Sequence, residues 1–341
     1  MKEKSKDKKV IKAIINILVF VICLIIICTA YLAYFYFTKQ EIKPQFVSNA
    51  IKFVDKDGKF LSNFGNRDES DKEDKTISTE PIYRADNYPK VDGSTATIPL
   101  AQAFQANFTG KEFDDVEINH SKTHNAYVKL INKEVDLILV TYPSDEERDL
   151  AKRNNVELAV DKVVNEGFVF FVNKNNPVDS LTVEQIQKIY SGEITNWKEV
   201  GGNDEKIVAY QRPKNSGSQT GMEELVMKNK KLAEAPKENV ATSMSDIIDV
   251  ISNYTNSSAA IGYSYYFYAN SMYTSDSIKM IKVNDIEPNN DTIKSGSYPF
   301  LTAYYAVTRN DKTEIADTLK SHMLSDRGQQ VAEKAGYVPI R

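Results

Sequence analysis

Cysteine is almost missing from this chain. Of 341 residues only Cys23 and Cys28 are cysteines, and both fall inside one long apolar run. The rest of the chain can therefore form neither a disulfide nor a thiolate metal site. Histidine is nearly as scarce, with His120, His124 and His322 alone. His120 and His124 would share a face if they lay on a helix. The Ser-Lys-Thr between them reads as a loop entering a helix, which gives no metal-ligand spacing. Also missing are a glycine-rich phosphate loop ending in Gly-Lys-Ser/Thr, a Gly-x-Ser-x-Gly elbow and a credible Ser/His/Asp set. With no nucleophile–base pair and no metal cluster, no enzymatic activity and no cofactor are expected.

What is present begins with a sharp asymmetry of charge. Residues 1–39 hold seven lysines against Glu3 and Asp7, a net +5; since the whole chain carries −4, residues 40–341 carry −9. An acidic body argues against nucleic acid and against anionic lipid as main partners. It leaves room for a small anion held by local dipoles and hydrogen bonds. After the lysines, Ala13 to Thr38 is uncharged, long enough to cross a bilayer as one helix. The positive-inside rule puts residues 1–12 in the cytoplasm and everything after about Lys39 outside. Cys28-Thr29-Ala30 is a weak cleavage site, and the apolar run continues past it to Phe37. An uncleaved membrane anchor at 13–38 is therefore the expectation over a signal peptide.

Residues 39–87 read as an extracellular spacer. Within it, Phe53-Val54 and Phe60-Leu61 flank Asp55-Lys56-Asp57-Gly58 as a hairpin would, and Asp68 to Lys75 is a charge run. From about Tyr88 strands and helices alternate. Amphipathic helices are expected over 97–108 and 126–132, and buried strands over 135–140 and 168–172. Further on come a helix over 181–190 capped by Ser180, a strand over 207–210 and a helix over 221–228. The alternation implies α/β layers with mostly parallel strands.

Three polar loops each lead into a helix: Asp92-Gly93-Ser94-Thr95-Ala96-Thr97, His120-Ser121-Lys122-Thr123-His124-Asn125, and Arg212-Pro213-Lys214-Asn215-Ser216-Gly217-Ser218-Gln219-Thr220. Hydroxyls and unpaired first-turn amides together make an anion cradle, and an arginine adds a charge-assisted contact. One such loop alone is usually just a helix cap. Three in one chain, one with Arg and Ser-Gly-Ser together, favour a small tetrahedral anion.

Several segments carry a family likeness. Asp92-Gly93-Ser94-Thr95 resembles the first ligand loop of the phosphate-binding proteins of ABC importers. Asn176-Pro177-Val178, Leu181 to Ile186, Ile189 to Trp197, Arg212 with Ser216 to Thr220, Ala260 to Tyr263, Tyr298-Pro299 and Gly336 to Pro339 follow in that family's order. The resemblance covers about Tyr88 to Arg341. It implies an α/β periplasmic-binding-protein fold of type II, with lobe 1 from 88–165 plus 264–341 and lobe 2 from 166–263. It also implies ligand contacts from Ser94, Thr95, Ser121, Thr123, Arg212, Ser216, Gly217 and Ser218. Thr141 falls where some members have an Asp or Ser. The implied partners are inorganic phosphate or a related oxyanion, together with ABC permease and ATPase subunits. A tethered sensor built on the same clamp is the alternative. Trp197 could stack on a sugar, but its place in the family-like segment makes it a packing residue.

Overall fold

The computed structural model describes residues 88–341 apart from Glu112, Glu117, Asn229 and residues 254–256. The expected membrane anchor, hairpin and spacer lie outside the described residues. Among the described residues, no helix is long and apolar enough to cross a membrane.

The first half of the chain supplies β1 (Val91–Gly93), α1 (Ile98–Thr109), α2 (Thr123–Ile131), β2 (Leu137–Val140) and α3 (Asp145–Arg153). After these come β3 (Leu158–Asn173), β4 (Ser180–Leu181), α4 (Val183–Ser191) and β5 (Val208–Ala209). Next are α5 (Gly217–Gly221), which runs directly into a π-helical stretch Met222–Met227, then α6 (Met244–Asn253) and β6 (Ala260–Tyr265). The chain ends with β7 (Ile278–Met280), β8 (Lys282–Val283), α7 (Asn290–Lys294), β9 (Leu301–Arg309), α8 (Glu314–Leu324), α9 (Asp326–Lys334) and β10 (Val338–Pro339).

Strand β3 organises everything else. Its sixteen residues are rich in valine and phenylalanine, and Val163, Val164 and Phe168 to Val172 are fully buried. Residues 158–167 pair antiparallel with β9, and 168–172 pair antiparallel with β6. The first half of β3 thus belongs to a sheet with β1, β2, β9 and β10. The second half belongs to a sheet with β5, β6 and β7. These two sheets are the cores of two lobes. Pairing of β7 with β3 and of β8 with β4 keeps residues 278–283 with the second sheet. The chain returns to the first sheet at Phe300 and Leu301, where the Phe168 N–H donates to the Phe300 carbonyl at 2.9 Å. Residues 278–283 thus lie with the second sheet, beyond the crossover expected at 264.

The expectation of mostly parallel strands is also corrected. β1/β2, β5/β6 and β4/β8 are parallel, whereas β2/β9, β9/β3, β3/β6, β3/β7 and β3/β10 are antiparallel. The helix between β2 and β3 does link strands of the same direction. β9, arriving late in the chain, then inserts between them and opposes both.

Helix boundaries follow local chemistry. α1 has Pro99 in its first turn and stops at Gly110, whose φ of 70° suits a residue without Cβ. It is buried on nearly every side, so it is a core helix and not the amphipathic one expected. α4 is capped by Thr182, not Ser180: the Thr182 hydroxyl accepts from the Gln185 N–H and the Gln185 side chain returns to the Thr182 N–H. Ser180 instead belongs to the short strand β4.

Candidate anion-binding site

The first loop is fixed to the end of β2. The Ser94 N–H and the Thr97 hydroxyl both donate to the Leu139 carbonyl, at 3.0 and 2.7 Å. Gly93 is obligatory here, because a Cβ would lie 2.6 Å from the Leu139 carbonyl oxygen. Ser94 is buried, with its hydroxyl 3.3 Å from that of Thr97. Thr95 opens a 3-10 turn (Thr95–Thr97) that runs straight into α1. From the C-terminus, the Tyr337 hydroxyl donates to the Ala96 carbonyl at 2.8 Å and holds the turn in place.

The second loop is tied to the first by a carboxylate. Asp92 accepts from the Ser121 N–H at 2.7 Å, the Ser121 hydroxyl at 2.9 Å, the Gly93 N–H at 2.7 Å and the Lys129 ammonium at 2.8 Å. Burial alone would raise its pKa; Lys129 and the three other donors more than offset that and hold it below the usual carboxylate value. Lys122 then turns the chain with φ 72° and ψ 163°, a conformation that glycine adopts without strain. α2 begins at Thr123, three residues earlier than expected, so His124 and Asn125 are helical. His124 does not simply face solvent: its Nδ1 lies 3.2 Å from the buried Glu147 carboxylate. That carboxylate is pushed above its usual value by burial and also caps α3 through the Ser144 N–H.

The third loop caps α5. Ser216 accepts from the Gln219 N–H at 3.3 Å and closes the first turn. Behind it stands an aromatic wall. The Tyr265 hydroxyl donates to the Gly217 carbonyl at 2.7 Å, and the Tyr263 hydroxyl meets both the Gln219 side-chain carbonyl and the Arg212 N–H. Phe168 packs against both tyrosines. Arg212 is buried, with Nη1 donating to the Ala241 carbonyl at 2.7 Å and Nε to the Ser218 hydroxyl at 3.4 Å. Burial draws its pKa down, yet a guanidinium stays charged at physiological pH. Among the described residues no carboxylate forms an ion pair with it.

The loops of the two lobes meet at Gly217. A methyl group there would lie 2.7 Å from the Thr123 hydroxyl oxygen and 2.8 Å from that of Thr141. Thr141 follows β2 directly, is 3% exposed, and its hydroxyl is buried beside the Tyr265 hydroxyl. Its carbonyl is held by the Tyr127 hydroxyl at 2.8 Å. The first-turn amides of Thr95, Thr123, Gly217 and Ser218 have no protein acceptor among the described residues. Together the loops supply orphan helix amides, threonine and serine hydroxyls and one buried guanidinium. That chemistry suits a compact oxyanion.

Of the residues singled out from sequence, Thr123, Thr141 and Gly217 are brought together, with Ser216 and Ser218 on the same turn as Gly217 and Arg212 tied to that turn through Ser218. The Ser94 N–H rests on β2 with its hydroxyl beside that of Thr97, and the Ser121 hydroxyl donates to Asp92. Sequence reasoning missed Asp92 as an anchor, along with Lys129, the His124–Glu147 pair and the tyrosine wall. Asp92 stood in a recognised loop, but nothing local pairs it with Lys129, 37 residues away. Trp197 is buried and its indole N–H donates to the Ala259 carbonyl at 2.9 Å, as a packing residue should.

A family model described as the PBP superfamily domain matches residues 79–327. The chain belongs to the PBP superfamily. Its curated relatives include phosphate-binding proteins named PstS. The one from Staphylococcus saprophyticus is 30% identical over 266 residues, covering 74% of this chain and 80% of that one. The one from Bacillus subtilis is 24% identical over 278 residues, covering 81% and 88%. Among solved structures, a Clostridium perfringens protein assigned to phosphate ABC transport and carrying bound phosphate superposes with a TM-score of 0.61 at 27% identity. That match covers 75% of this chain and all of that one. An ABC-type phosphate transport receptor from Vibrio cholerae, at 23% identity and a TM-score of 0.55, shares the fold.

Proposed function

We propose that this PBP-superfamily chain captures inorganic phosphate, or a similar tetrahedral oxyanion, between its two lobes and hands it to an ABC importer without chemical change. The observation that carries the reading is the meeting of Thr123 and Thr141 of one lobe with Gly217 of the other, beside a buried Arg212 that forms no ion pair among the described residues. The ligand contacts are assigned to Thr95, Thr123, Thr141, Arg212, Ser216, Gly217 and Ser218. An anion bridging both sides favours the closed arrangement, and closure is the signal read by a permease. The apolar run 13–38, preceded by lysines, makes this a membrane-tethered protein with its clamp outside the cell. The partners are then the permease and ATPase subunits. The same tether would serve a sensor. Co-purification of full-length chain with a permease separates the two, because a sensor has no need of it.

The deciding experiment is calorimetric titration of the ligand-stripped protein with inorganic phosphate. Saturable binding, lost in Arg212→Ala and weakened at least tenfold in Ser216→Ala, is the expected outcome. No heat and no thermal shift with any oxyanion would refute the reading.

A further inference from the structure

An arginine holds an anion well only if its guanidinium stands at a fixed distance from the other donors. Ordering a long, rotamer-rich side chain at the moment of binding would otherwise consume part of what the contact gains. Arg212 meets this problem directly. Residues 213–218 separate it from Gln219, and that loop includes the exposed Lys214 and Asn215 at φ 65°.

One side chain closes the loop at its neck. The Gln219 side-chain oxygen accepts from the Arg212 N–H at 3.0 Å and from the Tyr263 hydroxyl, whose own oxygen accepts from the same Arg212 N–H at 3.0 Å. Gln219 and Tyr263 are both buried, so water does not compete for these bonds. The amide can face only one way. Its NH2 group donates to the Glu223 carboxylate at 3.0 Å, four residues on. Turned over, it would set a donor against the Arg212 N–H and an oxygen against a carboxylate. Ser218, the neighbour of Gln219, accepts from Arg212 Nε at 3.4 Å, and the Ala241 carbonyl takes Nη1 at 2.7 Å. Main chain and side chain of Arg212 are thus fastened to two successive residues of α5.

We infer that Gln219 is a positioning residue of the anion site: oriented by Glu223, it holds Arg212 at a fixed distance from the Ser216–Ser218 turn, so that guanidinium and hydroxyls meet the ligand as one preformed unit. The inference deepens the oxyanion-capture reading above and rests on it. Residues of similar size cannot replace the glutamine. Leucine would leave the Tyr263 hydroxyl without its acceptor and the Arg212 N–H with the Tyr263 oxygen alone. Glutamate would keep an acceptor for both but set a second carboxylate against Glu223.

The test uses the full-length chain stripped of ligand and two readouts. One is the Kd for inorganic phosphate by calorimetry. The other is the Nε–H resonance of Arg212 in the heteronuclear NMR spectrum, assigned by its loss in Arg212→Lys. Gln219→Leu should weaken phosphate binding about tenfold, the scale of one buried donor left without its acceptor. It should also shift or broaden the Arg212 resonance, with the far-ultraviolet circular dichroism unchanged. Gln219→Glu should weaken binding further. Adding Glu223→Gln to Gln219→Glu restores a donor facing an acceptor, and that pair should bind at least fivefold more tightly than Gln219→Glu alone. In Gln219→Leu, either phosphate binding within threefold of the unaltered chain or an unmoved resonance would overturn the inference and leave phosphate capture standing. No recovery in the exchanged pair would overturn the part assigned to Glu223. Should Gln219→Leu fail to fold, Gln219→Glu against the exchanged pair decides by the same two readouts. An unaltered chain that binds no phosphate would overturn capture itself, while the resonance, read without ligand, still decides whether Gln219 holds the arginine.

Discussion

The Asp92 carboxylate grips Ser121 by both its N–H and its hydroxyl, at 2.7 and 2.9 Å, and so locks two polar loops into one rigid unit. Because Ser121 spends its donor on Asp92, its contribution is to shape the approach to Thr123. Asp92→Ala should cost about 3 kcal/mol of stability, the scale for leaving a buried charge network broken. It should also weaken phosphate binding, as urea unfolding and calorimetry would measure. Asp92 is held below its ordinary pKa, so its stabilising contribution is present above the unfolded carboxylate value and fades as the pH falls through the folded one.

Gly217 makes a different kind of prediction, since its φ is unremarkable and only its lack of Cβ matters. A Gly217→Ala methyl would meet the Thr123 and Thr141 hydroxyls at 2.7 and 2.8 Å, distances that a closed cleft cannot absorb. Those atoms belong to the other lobe, so the open protein is untouched. The melting temperature without ligand should stay unchanged while affinity drops about tenfold or more, equivalent to about 1.4 kcal/mol. A matching loss of unliganded stability would show that the contact is not specific to closure.

Ion pairs cross the cleft mouth as well. Arg148 reaches Glu224 at 3.2 Å, and Glu146 meets Asn215 at 2.8 Å and Lys214 at 3.6 Å. All are substantially exposed, so their worth is small and salt-screened. The double variant Glu146→Gln, Glu224→Gln should change the melting temperature by no more than about 2 °C. It should nevertheless shift small-angle scattering of the unliganded protein toward the open form at low salt, an effect that disappears at high salt.

Glu166 sits where β3 passes between sheets, and its carboxylate accepts from the N–H groups of Gly167 (2.8 Å) and Phe267 (3.2 Å). Burial outweighs those donors and pushes its pKa up to about 8. Between the ordinary value of 4.5 and about 8 the folded protein therefore holds a proton that the unfolded chain has released. Stability falls as the pH rises across that window. Glu166→Gln should raise the melting temperature by about 4 °C at pH 8.5 and change it little at pH 5. An equal effect at both values would refute the proton's part in it.

Local signals were legible and long-range ones were not. Core strands such as Leu137–Val140 announce themselves as apolar runs, and Pro99 and Gly110 bracket α1. The first half of β3 hides, because Asp161, Lys162 and Asn165 interrupt its apolar residues and it is only half buried. Its strand character comes from nine-residue β9, more than 130 positions away. The start of α2 was misplaced because His124 and Asn125 are weak helix formers that look like loop. The three polar loops could be read individually, but the meeting of Thr123 and Thr141 with Gly217 depends on how two lobes face each other, which no local pattern encodes.

The passage of one unbroken strand through both sheets has a further effect on how the protein comes apart. Neither lobe can lose its central strand without stripping the other of a neighbour, so the two halves are one cooperative unit in unfolding even where the proposed capture moves them as two bodies. A single sharp melting transition, sensitive to ligand over its whole amplitude, is what a shared β3 dictates.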